Sequence, residues 1–161
     1  MQPVDEVLMA LRRIIRAIDL HSRQLTKATS LTGPQLMLLR TIDENPGDTT
    51  RSIAKMANLS QATVTSIIDR LEAKELVCRQ RSSLDKRKVE LTLTEQGKQA
   101  VAKAPALLQN AFIKQFDELE LWEQTLILSS LQRVASMMDA EGIDASPMLT
   151  LEQHLASTKG E

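Results

Sequence analysis

Between Asp48 and Thr94 the spacing of apolar residues changes period, and no other stretch narrows the fold as far. Thr49 or Thr50 can cap a short helix carrying Ile53, Ala54 and Ala57. Asn58-Leu59 makes a turn, and Ser60 caps a longer helix, QATVTSIIDRLEAKE. Its apolar positions Val64, Ile67, Ile68 and Leu71 fall three or four residues apart, on one face. The other side of its first two turns shows Gln61, Ala62, Thr63, Thr65 and Ser66, all small or polar. From Leu76 the period drops to two. Leu76 and Cys78 alternate with Val77 and Arg79, which predicts an inward Cys78, and Val89, Leu91 and Leu93 alternate with Glu90, Thr92 and Thr94. The connection Ser82-Ser83-Leu84-Asp85-Lys86-Arg87-Lys88 is longer than a tight turn and strongly basic.

A short helix, a tight turn, a longer Ser-capped helix and a hairpin with a basic tip make a winged helix-turn-helix. The flanks are helical. Residues 4–28 place Val4, Val7, Leu8, Leu11, Ile14, Ile15, Ile18 and Leu25 on one stripe, and 31–42 follow with Thr32 as cap and Pro34 in the first turn. Leu36, Leu39 and Ile42 are that second helix's buried side, and Asn45-Pro46-Gly47 ends it. After the hairpin, one helix is expected over roughly 95–118, kinked at Pro105, with Val101, Leu107, Leu108, Phe112 and Phe116 as core candidates. Another is expected over roughly 121–139, carrying Leu121, Trp122, Leu126, Ile127, Leu131, Val134 and Met138. The expected fold class is mostly α, a winged helix-turn-helix with a two-stranded wing at 45–94. Helical segments at 1–44 and 95–141 flank it, and residues 142–161 form a loosely ordered tail with one turn at 150–156.

Composition removes several function classes. A single cysteine, Cys78, excludes an internal disulfide framework and a cysteine-based zinc site. His21 and His154 show no metal-ligand spacing, so no metal or cofactor is expected. No Gly-rich phosphate loop or nucleophile–base pattern points to an enzyme. Aromatics are 2% of the chain, which disfavours modules that stack single-stranded bases on rings. No run of about 18 apolar residues is present to span a membrane, and the N-terminus has acids before its apolar residues, the reverse of a secretory signal. A cytoplasmic protein is expected.

The formal charge of −1 conceals an uneven distribution. Residues 48–93 carry nine Lys/Arg against six Asp/Glu, whereas residues 94–161 carry five against ten. A near-neutral chain binds a polyanion when its positive charge gathers on one surface, and the middle segment is that candidate. The major groove of duplex DNA admits a helix and displays distinct donors and acceptors. Gln61 can bond bidentately to adenine, Thr65 and Ser66 can donate or accept, and the methyls of Ala62 and Thr63 can meet thymine. Such a polar face on an isolated helix is ordinary solvation; the turn before it and the wing after it favour base contact. Arg87 at the wing tip suits the minor groove of A·T-rich DNA. Ser60, Arg51, Arg70, Arg79, Arg81, Lys86 and Lys88 are candidates for phosphate contacts, which position without reading sequence.

The stretch LSQATVTSIIDRLEAKELVCRQRSSLDKRKVELTLTEQG, residues 59–97, resembles the MarR family of winged-helix regulators. The family pattern of a Ser-capped recognition helix, D-R-L-E, G-L-V-x-R, a wing D-x-R and a closing L-T-x-x-G is matched by Asp85-Lys86-Arg87 in the wing and by Leu93 to Gly97. One departure is Glu75, where the family usually has Gly. The resemblance implies a homodimer whose first and last helices interleave, a repressor's pseudo-palindromic operator, and Asp85 as the residue that holds a wing arginine in place. It also implies a small-molecule effector, often an aromatic acid, in a cleft that Arg16, His21, Ser22 and Gln35 could line. Cys78 reads as a small core residue rather than a redox sensor. ALRRIIRAIDLHSRQL, residues 10–25, looks closest to the branch that regulates compatible-solute genes such as those for ectoine, which implies an osmotic-stress repressor. Competing readings are a ligand-released repressor of the same type, an enzyme, and a helical adaptor that uses the winged helix for protein contacts.

Overall fold

Thr49, Ser60 and Thr94 each stand one residue ahead of a helix in extended backbone, and each side-chain oxygen accepts a backbone N–H from the first turn, from Ser52, Thr63 and Gly97 respectively. These local bonds set where the helices begin. The computed structural model describes residues 2–143. In chain order it contains α1 (Pro3–Thr29), α2 (Gly33–Glu44), α3 (Thr50–Ala57), α4 (Gln61–Ala73), β1 (Val77–Arg81), β2 (Val89–Leu93), α5 (Glu95–Lys103), α6 (Leu108–Asp117) and α7 (Leu121–Met137). The architecture is a mostly helical winged helix-turn-helix with a two-stranded antiparallel wing. The described residues form two compact units, one ending at Pro105 and one beginning at Ala106.

The core lies in the first unit. Leu38, Leu39 and Ile42 of α2, Ile53, Ala54 and Ala57 of α3, Val64, Ile68 and Leu71 of α4, Val77 of β1 and Leu91 of β2 form one buried cluster with Leu31 and Leu76. The buried stripes of α3 and α4 match their apolar spacing, with Ile67 partly buried at the edge. Helix α2, read from sequence with the helical flank, contributes to the same core as α3 and α4.

Turns between the elements close with left-handed residues. Asn58 has φ 53°, its N–H donates to Lys55 O, and Leu59 N–H donates to Ala54 O. Glu75 repeats the geometry after α4 with φ 57°: its N–H donates to Glu72 O and Leu76 N–H donates to Leu71 O. This is a Schellman closure, and the buried Leu71 and Leu76 supply its apolar contact. Gly47, with φ 89°, turns the chain out of α2 so that Asp48 and Thr49 run beside β2. There Gly47 N–H donates to Leu91 O, Leu91 N–H donates to Asp48 O, and Thr49 bridges Glu90.

Two expectations need correction. The register pairs Val77 with Leu93, Cys78 with Thr92 and Arg79 with Leu91, so the buried face of β1 begins at Val77 and Cys78 lies on the other face, half-buried. Leu76 is buried because it belongs to the turn closing α4, and the alternation starts one residue later than the apolar pattern suggests. The helix expected over 95–118 is two helices, interrupted at residues 104–107. Pro105 has no N–H to donate and disfavours helix in the residue before it, and Ala104 is extended.

In the second unit, Glu120 and Glu123 flank the start of α7 as a reciprocal cap, and Gln124 Nε2 donates to Phe116 O and Leu119 O across the α6–α7 turn. Phe112 and Phe116 stack at 5.6 Å between centroids, yet neither α6 nor α7 contains a buried residue. Leu121, Trp122, Leu126 and Leu131 are all exposed, as are Val4, Val7, Leu8, Ile14 and Ile15 on α1. Leu25 is the one buried residue of α1. Among the described residues no helix is long and apolar enough to cross a membrane. The turn expected at 150–156 lies outside the described residues.

Candidate nucleic-acid interface

Helix α4 buries one face completely and presents the other. Gln61, Ala62, Thr63, Thr65 and Ser66 are all exposed, while Val64 among them and Ile68 one turn on are fully buried. The hydroxyls are not equivalent. Ser60 Oγ lies 2.7 Å from Thr63 Oγ1 as well as accepting the Thr63 N–H, and Thr65 Oγ1 donates to Gln61 O at 2.8 Å. Among the described residues, the side chains of Gln61 and Ser66 have no hydrogen-bond partner. Gln61, on the first residue of the helix, therefore has its whole amide to offer.

The wing is an ordered loop built on a buried serine. Ser82 is 5% exposed; its N–H donates to Lys88 O at 3.0 Å and its Oγ accepts from the N–H groups of Leu84 and Asp85. Lys88 N–H donates to Asp85 O, and the Asp85 carboxylate accepts the Arg87 N–H at 3.0 Å. Asp85 thus holds the arginine through its backbone and leaves the guanidinium exposed. Arg81, Lys86, Arg87 and Lys88 all face solvent around this tip. The sequence pattern gives Ser82 no role; its signal is a hydroxyl at the first residue after β1.

Of the other candidates, Arg51 on α3 and Arg70 on α4 are exposed. Arg79 is not available in the same way. Its side chain is 27% exposed, and its guanidinium lies 2.6 Å from Asp69 and 2.6 Å from Glu72, so it ties β1 to the last turns of α4. Both acids belong to D-R-L-E, and their spacing of three puts them on one side of the helix. That ion pair supplies a physical reason for the motif: it fixes the strand leading into the wing against the helix carrying Gln61. Lys74 makes a second tie, its Nζ donating to Ser30 O at the end of α1 at 2.6 Å.

Of the residues expected to line an effector cleft, Arg16, His21 and Ser22 lie on α1 and Gln35 lies on α2. Arg16 is exposed and pairs with Asp19 at 3.2 Å. His21 and Ser22 are half-buried on α1. Gln35 is buried, and its Oε1 accepts the Thr32 N–H as part of the cap of α2. A groove of about 240 Å³ lies elsewhere, lined by Ala28, Thr29, Leu76, Gln96, Gln99, Ala100 and Lys103.

Residues 31–89 match the MarR family. The homoprotocatechuate degradative operon repressor of Escherichia coli is 27% identical over 108 residues, which are 67% of this chain and 73% of that protein. Among solved structures, a MepR-like protein complexed with pseudoligands superposes with a TM-score of 0.57 at 28% identity, covering 86% of this chain and 97% of the other. The transcriptional repressor CouR, bound to a 23-mer DNA duplex, superposes with a TM-score of 0.54 at 28% identity, covering 78% and 89%. The chain is therefore similar, in its winged helix-turn-helix fold and in residues 31–89, to transcriptional regulators of the MarR family.

Proposed function

We propose that the protein is a homodimeric repressor that reads a pseudo-palindromic DNA operator. One observation carries the reading: α4 is buried on one side and bare on the other, and the bare side holds only small and hydrogen-bonding groups beside an ordered basic wing. A helix of that kind fits the major groove, where Gln61 can pair bidentately with adenine while Ala62 and Thr63 meet thymine methyls. Arg87 then reaches the adjacent minor groove. Arg51, Arg70, Arg81, Lys86 and Lys88, with Ser60, set position through phosphates. Arg79 is left out of this set, because two carboxylates already hold it. The MepR-like and CouR structures support the reading by their likeness, and CouR was solved on a DNA duplex.

The apolar faces of α1 and α7 support a second copy. A 27-residue helix with one buried residue, and a helix pair with none, leave large apolar surface in water. Apolar faces of this kind are covered in a stable protein, and the resemblance assigns them to the twin subunit. Twofold symmetry then presents two recognition helices to half-sites about one helical turn apart. Selection from random duplexes tests this: an enriched inverted repeat with that spacing is expected, and a pool without a shared motif would overturn it.

Control of compatible-solute genes is a finer reading that rests on the resemblance of residues 10–25. A protein that neutralises several phosphates loses DNA affinity steeply with salt, so ionic strength can act as the signal without a dedicated cleft. Mapping operator occupancy in cells before and after osmotic upshift tests it; occupancy that does not change would remove it.

A further inference from the structure

Leu84 is 97% exposed at the tip of the wing. An apolar side chain held fully in water on an ordered hairpin gains nothing in the free protein, and it is fixed there. The N–H of Leu84 donates to the buried Ser82 Oγ, and Lys86, Arg87 and Lys88 follow it on the same tip. Those three cations fit a polyanion, and a two-stranded hairpin suits a groove rather than a flat surface.

We propose that Leu84 enters the DNA minor groove beside Arg87 and packs along the deoxyribose wall as the wing's apolar contact. This rests on the DNA-binding reading above. The chemistry divides the work between neighbours. Arg87 answers the negative potential of a narrow groove, a contact that weakens with salt. Leu84 buries carbon against sugar carbon, a contact that salt does not screen. It also distinguishes sequence. An A·T floor carries no exocyclic amine, whereas guanine places its N2 amine in the minor groove, where it would keep the leucine from seating. The wing therefore prefers A·T pairs through shape as well as charge.

The test compares wild type, Leu84→Ala and Arg87→Ala on the operator recovered by duplex selection, over a salt series. Because Leu84 touches nothing it can destabilise, Leu84→Ala is expected to unfold at the wild-type midpoint. Its Kd should rise about tenfold at every salt concentration, as partial burial of a leucine implies, with an unchanged salt slope. Replacing A·T by G·C under the wing should weaken wild type more than it weakens Leu84→Ala, which keeps only the charge preference of Arg87. Arg87→Ala should instead reduce the slope by about one. Leu84→Ala binding like wild type, with Arg87→Ala still weakened, would overturn the role of Leu84 alone. Wild type showing no preference for any duplex would overturn the DNA-binding reading beneath it.

Discussion

Gly97 sits against the backbone carbonyl of Leu76 so closely that a Cβ at position 97 would overlap the oxygen. The same carbonyl accepts the Thr94 N–H at 3.1 Å, and Thr94 Oγ1 both donates to Glu75 O and accepts the Gly97 N–H. The closing L-T-x-x-G is thus a joint. It docks the start of α5 onto the turn that ends α4, and the glycine is there for contact rather than for flexibility.

Gly97→Ala is expected to cost about 2–3 kcal/mol, because backbone must move to admit the methyl. Urea unfolding would show a lower midpoint with an unchanged m-value.

Glu75 makes the opposite prediction. It occupies a left-handed position where a side chain costs about 1–2 kcal/mol, partly offset by the greater freedom glycine has when unfolded. Glu75→Gly should therefore stabilise the protein by about 0.5–1 kcal/mol, read as a raised melting temperature. The backbone bonds of the turn are kept, so DNA affinity should hold.

Arg79→Ala removes a partly exposed double ion pair, a contribution screened by solvent, and should cost about 1 kcal/mol or less. Its readout against a phosphate contact is the salt slope of DNA binding. The slope should stay at the wild-type value, whereas Arg81→Ala or Lys88→Ala should lower it by about one.

Leu131→Glu on α7 or Ile15→Glu on α1 would place a charge within the apolar faces. Sedimentation should show a shift from dimer to monomer, with operator affinity falling at least a hundredfold as paired half-sites are lost. A dimer that persists in both variants would mean that another surface joins the subunits.

What the sequence made legible was local. Thr49 and Ser60 announce their helices because a cap is a bond within four residues, and the stripes of α3 and α4 follow from spacing alone. What it hid depends on contacts between distant residues. Cys78 was placed on the wrong face because the closing turn of α4 consumes Leu76 before the strand starts. The pairing of Arg79 with Asp69 and Glu72 joins residues seven and ten apart across a turn, which no periodicity reveals. Pro105 was legible as a disturbance, but not as a break of four residues.

The most direct test of the central claim, that α4 reads bases, is the affinity of wild type and Gln61→Ala for the selected operator and for unrelated duplex. Wild type is expected to hold the operator against excess competitor. Gln61→Ala should lose about 1–3 kcal/mol on the operator, with binding to unrelated duplex unchanged. Equal loss on both duplexes, or no loss on either, would contradict it.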